Sequence, residues 1–308
     1  MLFSQKARFN RKLDRMRDAE FAGTAKRRRV RNRALRKMMN NRLAMVGLFV
    51  FAAIVLACLF APVLTRYNPE TPNLKSTLKP PSLEHIFGTD KIGRDVFSRI
   101  LYGGRISILV GLGGALGASL IGAAVGSYAG YRGGWFDRIT LRLSELFMAF
   151  PQLVLVLMLV TIVGQSMRNI IIIFVVTGWG SVYRQARARM LSLREEEYVQ
   201  SLKAFGLSDF RICYKHMLPN AISPLIVNTT LSTAMFILEE AALSYLGLGI
   251  PLNIPTWGNI LNACQDMYTL LNGWWMWLPV GIVISLFVMS INFIGDGLRD
   301  TTDPSQQG

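Results

Sequence analysis

Histidine and cysteine are scarce in this 308-residue chain, which has two of the former, His85 and His216, and three of the latter. Cys58 falls in an apolar run, Cys213 in a basic segment and Cys264 in a polar loop, so no disulfide framework or metal-ligand spacing arises. No Ser-His-Asp arrangement and no GxxxxGK[ST] phosphate loop is present. An enzyme that hydrolyses ATP by itself is thereby excluded, and neither cofactor nor metal is expected. Charge is also sparse: 17% of residues are charged and 51% are hydrophobic, a balance that fits a chain whose solvent is largely lipid. Acids number 19 against 34 Lys and Arg, and the first 42 residues hold 15 of those bases against Asp14, Asp18 and Glu20. No internal repeat or low-complexity tract breaks the sequence.

What the chain does have is long apolar runs. A helix needs about 20 apolar residues to cross a hydrocarbon core. Leu43–Leu64, Ile106–Tyr131, Leu146–Gln165 and Gly273–Ile294 meet that length, and Ile170–Tyr183 and Ala221–Leu238 are weaker candidates. The expectation is an all-α, polytopic membrane protein with six transmembrane helices. The first run is too long for a signal-peptide core and has no convincing cleavage site after it, so it is expected to remain as an anchor.

Six spans put both ends on one side, and the basic arm assigns that side to the cytosol. Segments 1–42, 132–145, 184–219 and 295–308 then carry 26 of the 34 Lys and Arg. The reversed topology would translocate the arm. Lys26-Arg27-Arg28-Arg29 has the charge of a nucleic-acid contact, but preceding an apolar span it reads as cytosolic retention against anionic headgroups. No nucleic-acid partner is expected. The chain divides into a basic arm (1–42), a first span (43–64), an external loop (65–105), a core with five spans (106–298) and a cytoplasmic tail (299–308).

Within the second span, Gly113, Gly117, Gly122, Gly126 and Gly130 let a neighbouring backbone approach closely. Pro151 and Pro279 mark either bends or first-turn prolines. The 65–105 loop, with Pro69, Pro72, Pro80 and Pro81, reads as an extended tether followed by a short amphipathic helix, and 248–272 reads as a second capping loop.

The stretch 184–219 is the most informative. Glu195 to Phe205 favours helix, Gly206 suits a left-handed C-terminal cap, Ser208 suits the cap of a second short helix, and Pro219 sets off the fifth span. Val199, Leu202 and Phe205 recur at helical spacing, and such a stripe either fills a partner's groove or packs on the chain's own helices. Ionisable residues at membrane depth are the mark of a proton-coupled secondary transporter, the most remote alternative. Glu239 and Glu240 are the candidates, as a lining of the path, an outer gate or a brace. Glu145, near Arg142 and Arg138, reads as a surface acid.

Tyr198 to Pro219 resembles the cytoplasmic coupling loop of binding-protein-dependent ABC importers: Glu-Ala-Ala, three residues, Gly, nine residues, Ile, any residue, Leu-Pro. Gly206, Leu218 and Pro219 match in register; Gln200, Ser201 and Leu202 replace Glu-Ala-Ala, and His216 replaces Ile. The chain is also similar to the second permease of dipeptide, oligopeptide and nickel importers in "FGTDKIGRDVFSRILYGGRIS" (87–107), "GYRGGWFDR" (130–138), "AFP" (149–151), "EEAALSYLGLG" (239–249), "PTWGNIL" (255–261) and "GDGLRDTTDP" (295–304). The resemblance implies a type I importer permease fold in the cell inner membrane. It implies a heterodimer with a second permease, two ATP-binding cassette subunits beneath, and an external solute-binding protein. Tyr198, Val199, Gln200, Ser201, Leu202, Phe205, Gly206, His216, Leu218 and Pro219 would be the coupling residues. Peptides are the implied cargo, with nickel or another small solute as the alternative.

Overall fold

A computed structural model describes residues 38–302; the expectations placed on the basic arm before Met38 and on the tail after Thr302 lie outside the described residues. Within that range the chain is helical, with one isolated β-bridge, Thr89 to Asp95. We label α1 (Arg42–Leu59), α2 (Val96–Arg132), α3 (Gly134–Met148), α4 (Gln152–Val163), α5 (Met167–Arg194), α6 (Glu197–Ala204), α7 (Leu218–Tyr245), α8 (Trp257–Asn262), α9 (Met267–Asn272) and α10 (Trp274–Thr302). Four helical stretches are long and apolar enough to cross a membrane: α1, α2, Asp209–Tyr245 and α10; α3 with α4 makes a fifth if that bent pair is one span. The fold is thus all-α with several membrane-span candidates.

Each boundary has a local cause. Asn41 accepts a hydrogen bond from the Ala44 N–H and starts α1. Asp95 does the same for Ser98 at 2.7 Å and starts α2 ten residues before the expected Ile106. The short amphipathic helix expected in the 65–105 loop is therefore the first turns of α2, which at 37 residues is about 56 Å long. Nor is the rest of that loop an extended tether. His85, Thr89, Asp90 and Asp95 are all buried, and His85 Nδ1 lies 2.9 Å from Asp95 Oδ1. Asp90 collects the Ile92 and Arg94 N–H groups and the Arg94 guanidinium, and the Trp275 indole donates to the Thr89 carbonyl. Polar residues fold this loop because each finds a buried partner.

The expected third span, Leu146–Gln165, is broken. Pro151 stands at the N-cap of α4 with extended backbone, and α3 meets α4 at 90°. A proline ring drives the residue before it out of helical geometry, so the helix stops within Ala149-Phe150-Pro151. Pro151 marks a bend, whereas Pro279 lies inside the continuous α10.

Small residues set the tightest packing. A Cβ on Gly122, Gly126 or Gly130 of α2 would lie 2.4 to 2.6 Å from a backbone carbonyl oxygen of α5. Gly113 and Gly117 face Ile171 and Val175 on the same helix. Gly47 of α1 is pressed in the same way on Ser290 of α10. Close backbone approach is how helices associate where lipid supplies no hydrophobic contrast. Around these contacts lie an apolar cluster joining α1, α2, α7, α8 and α10, and a second joining α2, α4, α5 and α7, where Phe174 stacks on Phe236 at 4.6 Å.

The second short helix expected after Gly206 is not a separate element. Asp209–Arg211 leads into π-helical Ile212–Met217 and on into α7, so 209–245 is one rod. Pro219 does not break it. Its missing N–H and bulky ring fall just after the π turn, whose wider winding accommodates them.

Candidate functional site

Two regions hold the residues singled out from sequence, one at each end of α7. At its start, α6 ends in a two-bond glycine cap: the Gly206 N–H donates to the Lys203 carbonyl at 2.9 Å and the Leu207 N–H to the Leu202 carbonyl at 3.3 Å. Gly206 has φ +74, a left-handed value that strains residues with a β-carbon. Ser208 departs from expectation. Its backbone sits at the N-cap, but its side chain makes no capping bond, and Asp209 instead accepts the Tyr131 hydroxyl of α2 at 2.8 Å.

The apolar stripe divides between the two roles left open for it. Val199 is fully buried in the chain's own cluster of Tyr131, Met190, Ile212, Cys213, Met217 and Ala221, so it faces no partner. Leu202 is half-buried against the same cluster. Phe205 points away and is 82% exposed. Beyond the cap, Phe210 is 68% exposed and its ring lies 4.5 Å from that of Tyr214. Sequence reasoning missed Phe210; the available signal was an aromatic one helical turn before Tyr214 on a surface segment.

The other motif positions serve the segment's internal order. Gln200 donates to the Arg194 carbonyl, Ser201 to the Glu197 carbonyl, and Asn220 to both the Tyr198 hydroxyl and the His216 carbonyl. Leu218 is half-buried and Pro219 exposed. Nearby, Asp137 of α3 receives both Nε and Nη2 of Arg187 on α5 at 2.5 and 2.7 Å. Bidentate pairing of this kind fixes orientation as well as distance.

At the far end of α7 the two adjacent acids separate. Glu240 is fully buried, and its oxygens accept the Ser107 and Ser244 hydroxyls at 2.7 Å each. Ser107 also accepts the Trp257 N–H at 3.2 Å, so one carboxyl ties α2, α7 and α8 together. Of the roles considered for Glu240, this geometry fits a brace. Glu239, one residue earlier, is half-buried and faces α4, where Gln152 Nε2 donates to it at 3.2 Å. Among the described residues no cluster of His, Cys, Asp and Glu has the geometry to hold a metal ion.

Comparison with known proteins agrees with this architecture. Residues 122–307 match the family described as "Binding-protein-dependent transport system inner membrane component", and residues 31–81 match "N-terminal TM domain of oligopeptide transport permease C". The chain is 39% identical to the dipeptide transport system permease protein DppC of Alkalihalophilus pseudofirmus, over 89% of this chain and 90% of that one. It is 39% identical to the oligopeptide transport system permease protein OppC of Bacillus subtilis, over 88% of each. A putative peptide permease protein of Brucella suis is also 39% identical, over 88% of this chain and 90% of its own length. With more than half its length inside one family and full-length relatives on either side, the chain belongs to the binding-protein-dependent transport system inner membrane components.

Proposed function

We propose that this chain is one of two permease subunits of an ATP-driven importer and carries peptides across the inner membrane. The full-length similarity to dipeptide and oligopeptide permeases supports the cargo. The observation that carries the coupling role is the pair Phe205 and Phe210, exposed on either side of a rigid glycine cap. An apolar pair on a fixed turn fits a groove in a partner. That partner is one of two ATPase subunits, which supply the work; a second permease completes the path, and an external protein delivers the peptide.

In this reading the bent α3–α4 pair and α5 join the four longer stretches to make six spans. The arm, the α6 segment and the tail face the cytosol, and the loop around Lys75 with α8 faces outward, as the 26-to-8 division of basic residues favours. Membrane-impermeant labelling of single cysteines tests this directly: positions 75 and 252, both exposed, should react in intact cells and position 211 only after permeabilisation. Reaction at 211 from outside would overturn the topology. Co-purification of ATPase subunits with the wild-type chain, weakened by Phe205→Ser with Phe210→Ser, tests the coupling surface; undiminished co-purification and uptake would exclude it.

A further inference from the structure

Glu239 is an acid at membrane depth with no cation to balance it. None of the ion pairs among the described residues includes it, and its hydrogen-bond partner is a neutral amide, Gln152. Carboxylates in such surroundings face a cavity or a partner. Here the cavity adjoins. Gln152 lines a cleft of about 140 Å³ at the α3–α4 break, together with Phe147, Met148, Phe150, Thr177 and Ser181.

The hydrogen-bonding character of this cleft is one-sided. Thr177 and Ser181 spend their hydroxyl protons on carbonyls of their own helix, Ile173 at 2.9 Å and Gly178 at 3.4 Å. Gln152 spends an amide proton on Glu239. What remains along the lining is a set of acceptors, the Gln152 carbonyl oxygen and two hydroxyl oxygens, with the Glu239 carboxylate directly behind Gln152. Such a set is complementary to a group with several N–H donors and a positive charge, and the aromatic rings of Phe147 and Phe150 add faces that attract cations.

Building on the peptide reading above, we infer that this cleft is a binding site for the protonated amino terminus of the transported peptide, with Glu239 as counter-charge and Gln152 as its positioning partner. The site explains why two adjacent acids have opposite surroundings: Glu240 is satisfied within the fold, while Glu239 keeps acceptor capacity beside the Gln152 that lines the cleft. The break at Pro151 makes the site, because a straight α3–α4 helix would not set Phe147 and Gln152 on either side of one opening.

The test uses the assembled transporter in vesicles. The three native cysteines of this chain are buried, so a Ser181→Cys variant gives this subunit a single reporter for a small maleimide, read on the isolated subunit after labelling. Trialanine with a free amino terminus should slow labelling, and N-acetyl-trialanine at the same concentration should not. Adding Glu239→Gln should raise the half-protecting concentration of free trialanine roughly tenfold or more, the loss of a charge-assisted hydrogen bond, with Glu239→Asp in between. Equal protection by both peptides, no effect of Glu239→Gln, or a cysteine at 181 that the maleimide cannot reach would each overturn the inference. Uptake of free trialanine through the binding protein is measured in parallel. Uptake without protection sinks this site and leaves the peptide reading standing; absence of uptake in the wild type sinks the peptide reading itself and the inference with it.

Discussion

The two ends of α7 are held in different ways. At the α8 end, buried hydrogen bonds cross from element to element: Glu240 joins Ser107 and Ser244, Trp257 donates to the Ile100 carbonyl, and Asn259 donates to three carbonyls of the 250–254 turn. At the α6 end an apolar cluster around Val199 and Met217 does the buried joining, and the polar bonds between elements are part-buried or exposed: Tyr131 to Asp209, Tyr214 to the Ala124 carbonyl, Gln200 to the Arg194 carbonyl and Asn220 to the Tyr198 hydroxyl. Buried polar bonds are directional and costly to break, whereas apolar contacts tolerate sliding. The contrast says that buried directional bonds fix the relative placement of α2, α7 and α8, while at the α6 end the buried contacts are apolar and less directional.

The largest expected effect comes from breaking the rigid end. Glu240→Ala leaves the Ser107 and Ser244 hydroxyls buried without their acceptor and opens a void, at a cost of about 3–5 kcal/mol. Membrane abundance and assembly with the second permease should fall sharply on quantitative blotting, and Glu240→Gln, which keeps the shape, should fall less. Normal abundance of Glu240→Ala with lost uptake would return this residue to the transport path.

Next in size is Gly206→Val at the α6 end. A β-branched residue at φ +74 costs about 1–3 kcal/mol of local strain. No atom lies within 4 Å of the added Cβ, so the effect is conformational rather than steric. Abundance should stay near wild type while peptide-stimulated ATP hydrolysis drops. Wild-type stimulation would show that the angle of this turn does not matter. Tyr131→Phe removes the bond from α2 to Asp209 and about 1 kcal/mol. It should speed amide exchange at 206–212 with little change in uptake; unchanged exchange would mean the apolar cluster and the remaining polar bonds suffice.

The smallest effect is expected at the surface contact of Lys91 with Asp266, which joins the 65–95 loop to the start of α9. The Lys91 ammonium, hydrogen-bonded to it, together with the Thr269 backbone and hydroxyl, holds the Asp266 carboxyl well below the usual carboxylate range. A carboxyl depressed in the folded state contributes stability above its unfolded pKa and loses it as pH falls through the folded value. Thermal stability should therefore not change through this pair between pH 8 and pH 5, whereas Asp266→Asn should lower it slightly and equally across that range. A drop confined to pH 5 in the wild type would contradict the pairing.

Much of the architecture was legible in residue patterning. The apolar runs of α1, α2, α7 and α10, the glycine face of α2 and the left-handed cap at Gly206 each follow from local rules that tertiary contacts did not override. What patterning could not give was decided by distant partners. Asp95 starts α2 early because His85 and Ser98 satisfy it. The 65–95 loop folds because Arg94, Trp275 and Asp90 meet there. The roles of Glu239 and Glu240 depend on which helix each one faces, and nothing in two identical neighbouring letters encodes that. Val199 and Phe205 shared one stripe in the sequence, yet Val199 turns inward because α6 lies flat on the start of the π-helical segment.

The unbroken winding from Asp209 to Tyr245 has a mechanical consequence. Helix is stiff along its axis, so Phe210 and Glu239 are two points on one lever, separated by roughly 45 Å. With its far end pinned by Glu240, the lever has a fulcrum, and a push on Phe210 becomes a swing rather than a shift. Displacement is greatest near Phe210 and fades toward the pinned end, so Glu239, one residue from the pivot, turns more than it travels. A partner acting on the outermost aromatic ring would in this way change the aim of a carboxylate without carrying it away from Gln152.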